Sequence, residues 1–149
     1  MWYCKPFNEL NINELYEILR VRQEVFTVEQ NCVYQDADQS DQLSHHLFTY
    51  DEKQPERIIA YARIVKPGIK YREAAIGRVL TSELVRGTGM GKKLMAQAVE
   101  QTTALYPKDG IRISAQQHLA NYYQAFGFEQ VSEPYDEDGI PHIEMLKPA

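Results

Sequence analysis

The chain has 149 residues, 44 % of them hydrophobic and 25 % charged, a size and composition for one ordered domain with one core over residues 1–149. Its formal charge of −5 argues against nucleic acid as a partner, because displacing counterions from phosphates calls for a basic surplus. No apolar run approaches the roughly 18 residues that span a bilayer, and Met1-Trp2-Tyr3-Cys4-Lys5 is no basic leader before an apolar stretch, so a cytoplasmic protein with no membrane partner is expected.

Trp2 to Lys5 is predicted as a short opening strand. Asn11 and Glu14 have the spacing of a capping box, after which Ile12, Leu15, Leu19 and Phe26 recur as one face of a helix. Arg22 falls on that stripe, an odd place for a charge. Asn31 to Ser44, dense in Asp, Gln and Ser, reads as a loop. His46 to Tyr50 and Ile58 to Val65 are predicted strands around the polar turn Asp51 to Glu56, and Pro67-Gly68 ends the second.

Ala75 to Thr81 is predicted as a third strand of this set, followed by a helix from about Gly89 to Leu105 with the apolar face Leu94, Met95, Ala98, Val99 and Leu105. Ile111 to Ala115 reads as a strand and His118 to Phe126 as a short helix, with Gly127 suited to its C-cap. Glu129 to Tyr135 and Ile140 to Leu146 close the chain as strands about the turn Asp136-Glu137-Asp138-Gly139. The order β-α-β-β-β-α-β-α-β-β predicts an α/β or α+β fold with a mixed sheet.

Charge is unevenly placed. Nine of the sixteen Lys and Arg lie between Arg57 and Lys93, while Gln23 to Glu52 holds seven acids and no base. A second acidic cluster is Glu133, Asp136, Glu137 and Asp138. One reading is a solvated surface; the other is a basic middle for an anionic ligand with acidic flanks for a cationic one. Cys4 and Cys32 form no C-x-x-C pair and the four histidines show no H-x-x-x-H spacing, so neither a disulfide framework nor a metal is expected.

The most informative stretch is Arg86-Gly87-Thr88-Gly89-Met90-Gly91-Lys92, between a strand and an amphipathic helix. Glycines on alternate positions turn the backbone tightly and leave N–H groups uncovered, and the helix N-terminus adds orphan donors and a positive dipole end. A P-loop fails because Lys93 stands where Ser or Thr is required. A G-x-G-x-x-G fingerprint fails because Lys92 or Leu94 stands at the third glycine.

This stretch resembles the (Q/R)-x-x-G-x-(G/A) pyrophosphate loop of the GNAT N-acetyltransferases, and Ala75 to Thr81 before it resembles that family's fourth strand. Downstream, Tyr123-Gln124-Ala125-Phe126-Gly127-Phe128 is similar to its Y-x-x-x-G-F element. Arg22-Gln23-Glu24-Val25-Phe26 with Glu29-Gln30, and Asp138-Gly139-Ile140-Pro141-His142, resemble the ElaA-type branch. The resemblance covers essentially the whole chain and implies the GNAT fold, a central twisted mixed sheet flanked by helices. It implies acetyl-CoA as co-substrate, with Val79, Leu80 and Thr81 along the pantetheine arm. Arg86, Gly87, Thr88, Gly89, Met90, Gly91 and Lys92 would meet the pyrophosphate. Many relatives carry Asn where this chain has Gln116, a side chain that offers the same amide with longer reach.

The activity implied is acetyl transfer to an amine, small or on a protein, by direct attack in a ternary complex. Such chemistry needs a base for the amine, a donor for the carbonyl oxygen and an acid for the leaving thiolate. The resemblance assigns the acid to Tyr123. For the base, Glu29 comes first and His46 next, with His45 and His142 as rivals of suitable intrinsic pKa. Arg22 and His142 are candidate acceptor-binding residues, although Arg22 could equally pair with Glu29 or Asp38, and Tyr123 could be core packing. The acceptor is expected to be cationic and a homodimer is left open. A non-catalytic acyl-CoA-binding module is the alternative function; an acyl-homoserine-lactone-synthase-like enzyme lacks the rest of its motif set.

Overall fold

Asn11 opens the first helix, α1 (Ile12–Arg22), through the reciprocal bonds that its spacing predicts. Its side chain accepts from the Glu14 amide at 2.8 Å, and the Glu14 carboxylate accepts from the Asn11 amide at 2.9 Å, so two orphan donors are satisfied. The computed structural model describes all residues, Met1 to Ala149. Its strands are β1 (Trp2–Pro6), β2 (Ser44–Tyr50), β3 (Ile58–Val65), β4 (Ala74–Thr81), β5 (Ile111–Gln116), β6 (Glu129–Gln130), β7 (Tyr135–Glu137) and β8 (Ile140–Lys147). They form one mixed sheet in the order β1-β2-β3-β4-β5-β8-β6, with β7 also on β8. Only the β4–β5 pairing is parallel. No helix is long and apolar enough to cross a membrane.

Alternation along β3 explains the layers, because successive side chains of a strand leave by opposite faces. Ala60, Ala62 and Ile64 pack with Leu94, Met95 and Ala98 of α2 (Met90–Leu105). Tyr61 faces the other way and packs with Ile18 and Val21 of α1. Covered on both faces, β3 is buried along its whole length.

Three elements differ from the sequence expectation. The buried residues of α1 are Glu14, Ile18, Val21 and Arg22, whereas Ile12, in the first turn, is 83 % exposed. Beyond Arg22 the helix continues as a π-helical segment, Gln23–Glu29. Its wider turn brings Val25 into the core and turns Phe26 towards a cleft. The helix expected from His118 to Phe126 is a 3₁₀ turn followed by the short α3 (Ala120–Gln124), which ends at Gly127 with φ +96°. The strand expected from Glu129 to Tyr135 is split, because the Ser132 hydroxyl takes the Glu144 amide at 2.8 Å and Pro134 has no N–H to donate.

Two departures from a regular ladder shape the centre of the sheet. β4 and β5 pair only at Ala74–Ile111 and Ala75–Arg112, and then diverge. On its other side, β4 pairs with β3 at Gly77–Arg63 and next at Leu80–Tyr61, so β4 carries one extra residue. Arg78 sits in that bulge with φ +50°.

Candidate active site

The divergence of β4 from β5 opens a cleft of about 820 Å³. Ile76 to Val79 form one wall and Ile113 to Gln116 the other. Tyr123 enters from α3, and Glu137, Asp138 and His142 from the β7–β8 hairpin. Phe26 and the loop from Gln30 to Tyr34 close the remaining side. From Ile76 onward the β5-facing edge of β4 has no strand partner, so its backbone is free to meet an extended ligand.

That edge runs into the glycine loop and then the N-terminus of α2. Gly87 and Gly89 take φ +79° and +86°, conformations that side chains rarely adopt, and Gly89 is the N-cap. The amides of Gly87, Gly89, Met90, Gly91 and Lys92 have no protein acceptor, and Lys92 and Arg86 add positive charge beside them. Nothing lies within 4 Å of where a Cβ would stand at Gly87 or Gly89. Five unpaired donors at a helix dipole's positive end fit an anion. Arg86 itself is tied down: its guanidinium donates to the Thr81 carbonyl at 3.0 Å and to the Glu29 carboxylate at 2.5 Å.

Tyr123 lines the cleft and no protein group hydrogen-bonds its hydroxyl. Burial, with the neighbouring Tyr122, pushes the phenol above its ordinary pKa, so it holds its proton tightly and stands protonated at neutral pH. Gln116, at the end of β5, lines the same cleft opposite β4. His142 is its register partner on β8 and lines the cleft as well. The His142 Nδ1 lies 2.8 Å from the Ile140 carbonyl and its Nε2 lies 3.2 Å from the Glu137 carboxylate.

The other site candidates fall elsewhere. His46 is fully buried, with Nδ1 2.7 Å from the Tyr61 hydroxyl and Nε2 3.0 Å from the Asp41 carbonyl, so both nitrogens are committed inside the protein. It is a core histidine and no base for the cleft. Arg22 is also sealed, bonded to Asp36 at 3.0 Å and Asp41 at 2.7 Å, and reaches no acceptor; neither Glu29 nor Asp38 is its partner. Glu29 stands outside the cleft lining and bridges the π-helical segment to Arg86.

The acidic flank is likewise internal. Arg63 binds Asp38 and Asp41, and Arg78 binds Asp36 and Asp38. Burial disfavours the Asp38 and Asp41 carboxylates, but Arg63 and Lys70 at Asp38, and Arg22 and Arg63 at Asp41, outweigh it and hold both below the usual carboxyl range. The network pins the Asn31–Ser44 loop beside the cleft, where Tyr34 bonds Asp36 at 2.8 Å beneath the Arg78 guanidinium. Sequence reasoning missed Arg78, Tyr34 and Glu137 as cleft residues. Arg78 and Tyr34 carry no motif, and Glu137 lay inside an acidic cluster read for its charge.

Comparison with known proteins agrees with this geometry. The description of an acetyltransferase (GNAT) domain matches residues 14–148. Protein ElaA of Escherichia coli is 42 % identical over 146 residues, which cover 98 % of this chain and 95 % of that one. A UPF0039 protein of Synechocystis is 44 % identical, over 97 % of this chain and 93 % of its own. The crystal structure of an acyl-CoA N-acyltransferase from Pseudomonas aeruginosa superposes with a TM-score of 0.93 at 40 % identity, covering 99 % of this chain and 98 % of that one.

Proposed function

The chain belongs to the GNAT acetyltransferase family, in its ElaA-type branch, and from that premise we propose that it moves an acetyl group from acetyl-CoA to a primary amine by direct attack within a ternary complex. The observation that carries this reading is the junction of an unpaired strand edge with five free amides. Together they offer a linear path for an amide-bearing arm that ends in a cradle for its phosphates.

In this reading Gly87, Thr88, Gly89, Met90, Gly91 and Lys92 hold the pyrophosphate, with Arg86 at the entrance. Val79 holds the pantetheine arm, and its backbone N–H faces the charge that grows on the thioester oxygen, whereas Leu80 turns its backbone to Tyr61 of β3. Thr81 contributes less than expected, because its carbonyl already accepts from Arg86. Gln116 supplies a side-chain amide from the opposite wall, and Tyr123 protonates the leaving thiolate. The acceptor arrives as an ammonium. Among the charged groups lining the cleft, Arg78 is neutralised by Asp36 and Asp38, whereas Asp138 makes no ion pair and Glu137 faces only a histidine.

The test is release of free thiol from acetyl-CoA across a panel of alkylamines, amino sugars and lysine peptides. Amine-dependent release is the expected result. Saturable acetyl-CoA binding with no release for any amine would make the protein an acyl-CoA-binding module instead.

A further inference from the structure

Building on the acetyl-transfer reading above, we infer that His142 is the base that removes the acceptor's proton and that Glu137 receives the ammonium and positions it there. His142 is held between two neighbouring strands. Its strand lies between Gln116 of β5 and Tyr135 of β7 in register, and its ring stacks on Tyr135 with centroids 6.2 Å apart and planes at 29°. The Tyr135 hydroxyl is in turn bonded to Ser114 of β5. The ring therefore cannot swing without breaking a packed pair.

The tautomer follows from the partners. A carbonyl oxygen only accepts, so the contact of Nδ1 with Ile140 requires the proton on Nδ1. In the neutral ring that leaves the lone pair on Nε2, the nitrogen that faces Glu137 at the cleft. A lone pair beside a carboxylate is an arrangement completed by a proton between them, and an alkylammonium brings one. Other titratable groups are differently placed: Asp138 is at the hairpin turn, Tyr123 and Tyr34 line the cleft from other elements, and the Arg78 guanidinium is bound by Asp36 and Asp38. The ammonium docks on the Glu137 carboxylate and an N–H bond breaks as Nε2 takes the proton. The neutral nitrogen forms its bond to the thioester carbon while the carbon–sulfur bond breaks. Tyr123 gives its proton to the thiolate and regains one from the new amide nitrogen, and His142 returns its proton to water.

The experiment compares two amines in steady-state acetyl transfer. Butylamine stays ionised up to about pH 10, as a lysine side chain does, whereas aniline is neutral at pH 7 and needs no base before attack. His142→Gln should lower kcat/KM for butylamine by roughly 10²- to 10⁴-fold at neutral pH, with a loss for aniline below about tenfold. The butylamine loss should shrink steadily as pH rises. Glu137 is exposed enough to change without disturbing the core. Glu137→Gln should therefore raise KM for butylamine and lower kcat while sparing aniline, which keeps the test alive if His142→Gln misfolds. Equal losses for the two amines, or a butylamine loss that does not recover at high pH, would overturn the assignment. A wild type that binds acetyl-CoA and acetylates neither amine nor any of the panel overturns the parent reading, and the base with it.

Discussion

Tyr123 and Arg22 are both half-hidden in the sequence, one by an aromatic cluster and one by an apolar stripe, and the structure separates them. Tyr123 is legible because its spacing to Gly127 and Phe128 is local, and the same short helix that carries it ends at that glycine. Burial keeps its phenol protonated, so Tyr123→Phe removes a donor and leaves the ring packing on Phe128 in place. We expect kcat to fall by about 10²- to 10⁴-fold with the acetyl-CoA Kd unchanged; unchanged turnover would return Tyr123 to the core. Arg22 was not legible, because its partners are 14 and 19 residues away and only the folded loop brings them in. Removing one member of a buried ion pair leaves a carboxylate short of its partner. Arg22→Met should therefore lower unfolding stability by about 3–5 kcal/mol, read from urea midpoints; a neutral outcome would mean that Arg63 and Arg78 suffice to hold the loop.

At the scale of elements, what the sequence showed well was the loop leading into α2. Three alternating glycines are a local instruction, and the helix face that follows is periodic. The π-helical segment after α1 and the bulge in β4 were not visible, since each is a register shift set by a neighbouring element. Arg78, a non-glycine residue at φ +50°, carries no local sign that it will be placed there. The cradle can be tested apart from folding. In wild type, acetyl-CoA at a hundred times its Kd should raise stability by about 2.7 kcal/mol. Gly89→Asn keeps a residue that tolerates the left-handed region but places a side chain over the free amides, so the protein should fold and lose that gain. Gly91 has an ordinary helical conformation, and a Cβ there would meet only the Tyr122 hydroxyl at 3.7 Å. Gly91→Ala should retain binding and gain up to about 1 kcal/mol in helix stability. Thermal shift with and without ligand reads both variants, and a Gly89→Asn protein that still responds to acetyl-CoA would contradict the cradle.

For the whole molecule, the charge pattern that looked like two opposed faces is in large part an internal neutralisation. The acids at 36, 38 and 41 meet Arg22, Arg63 and Arg78, and the two blocks separated in sequence are folded onto one another. This makes stability depend on pH with a definite sign. Burial holds the His46 pKa below its ordinary value, so the folded state resists protonation while the unfolded chain accepts it near pH 6.5. The unfolded state then binds more protons, and stability falls as pH drops below about 6.5, at up to about 1.4 kcal/mol per pH unit, until the folded histidine also protonates. His45, half-buried, is displaced in the same direction by the same cause. Asp38 and Asp41 act lower: their folded carboxyls are held down, so their contribution is complete above about pH 4 and is lost as pH falls further through their folded values. Urea midpoints from pH 8 to pH 3 should accordingly show two separate losses. His46→Gln should flatten the upper one relative to wild type and leave the lower one intact, because the arginine–aspartate network does not depend on the imidazole proton. A difference between wild type and variant that grows as pH rises from 5 to 7, with wild type the more stable, would fit a neutral His46 in the core; a constant difference across that range would show that its burial carries no proton linkage.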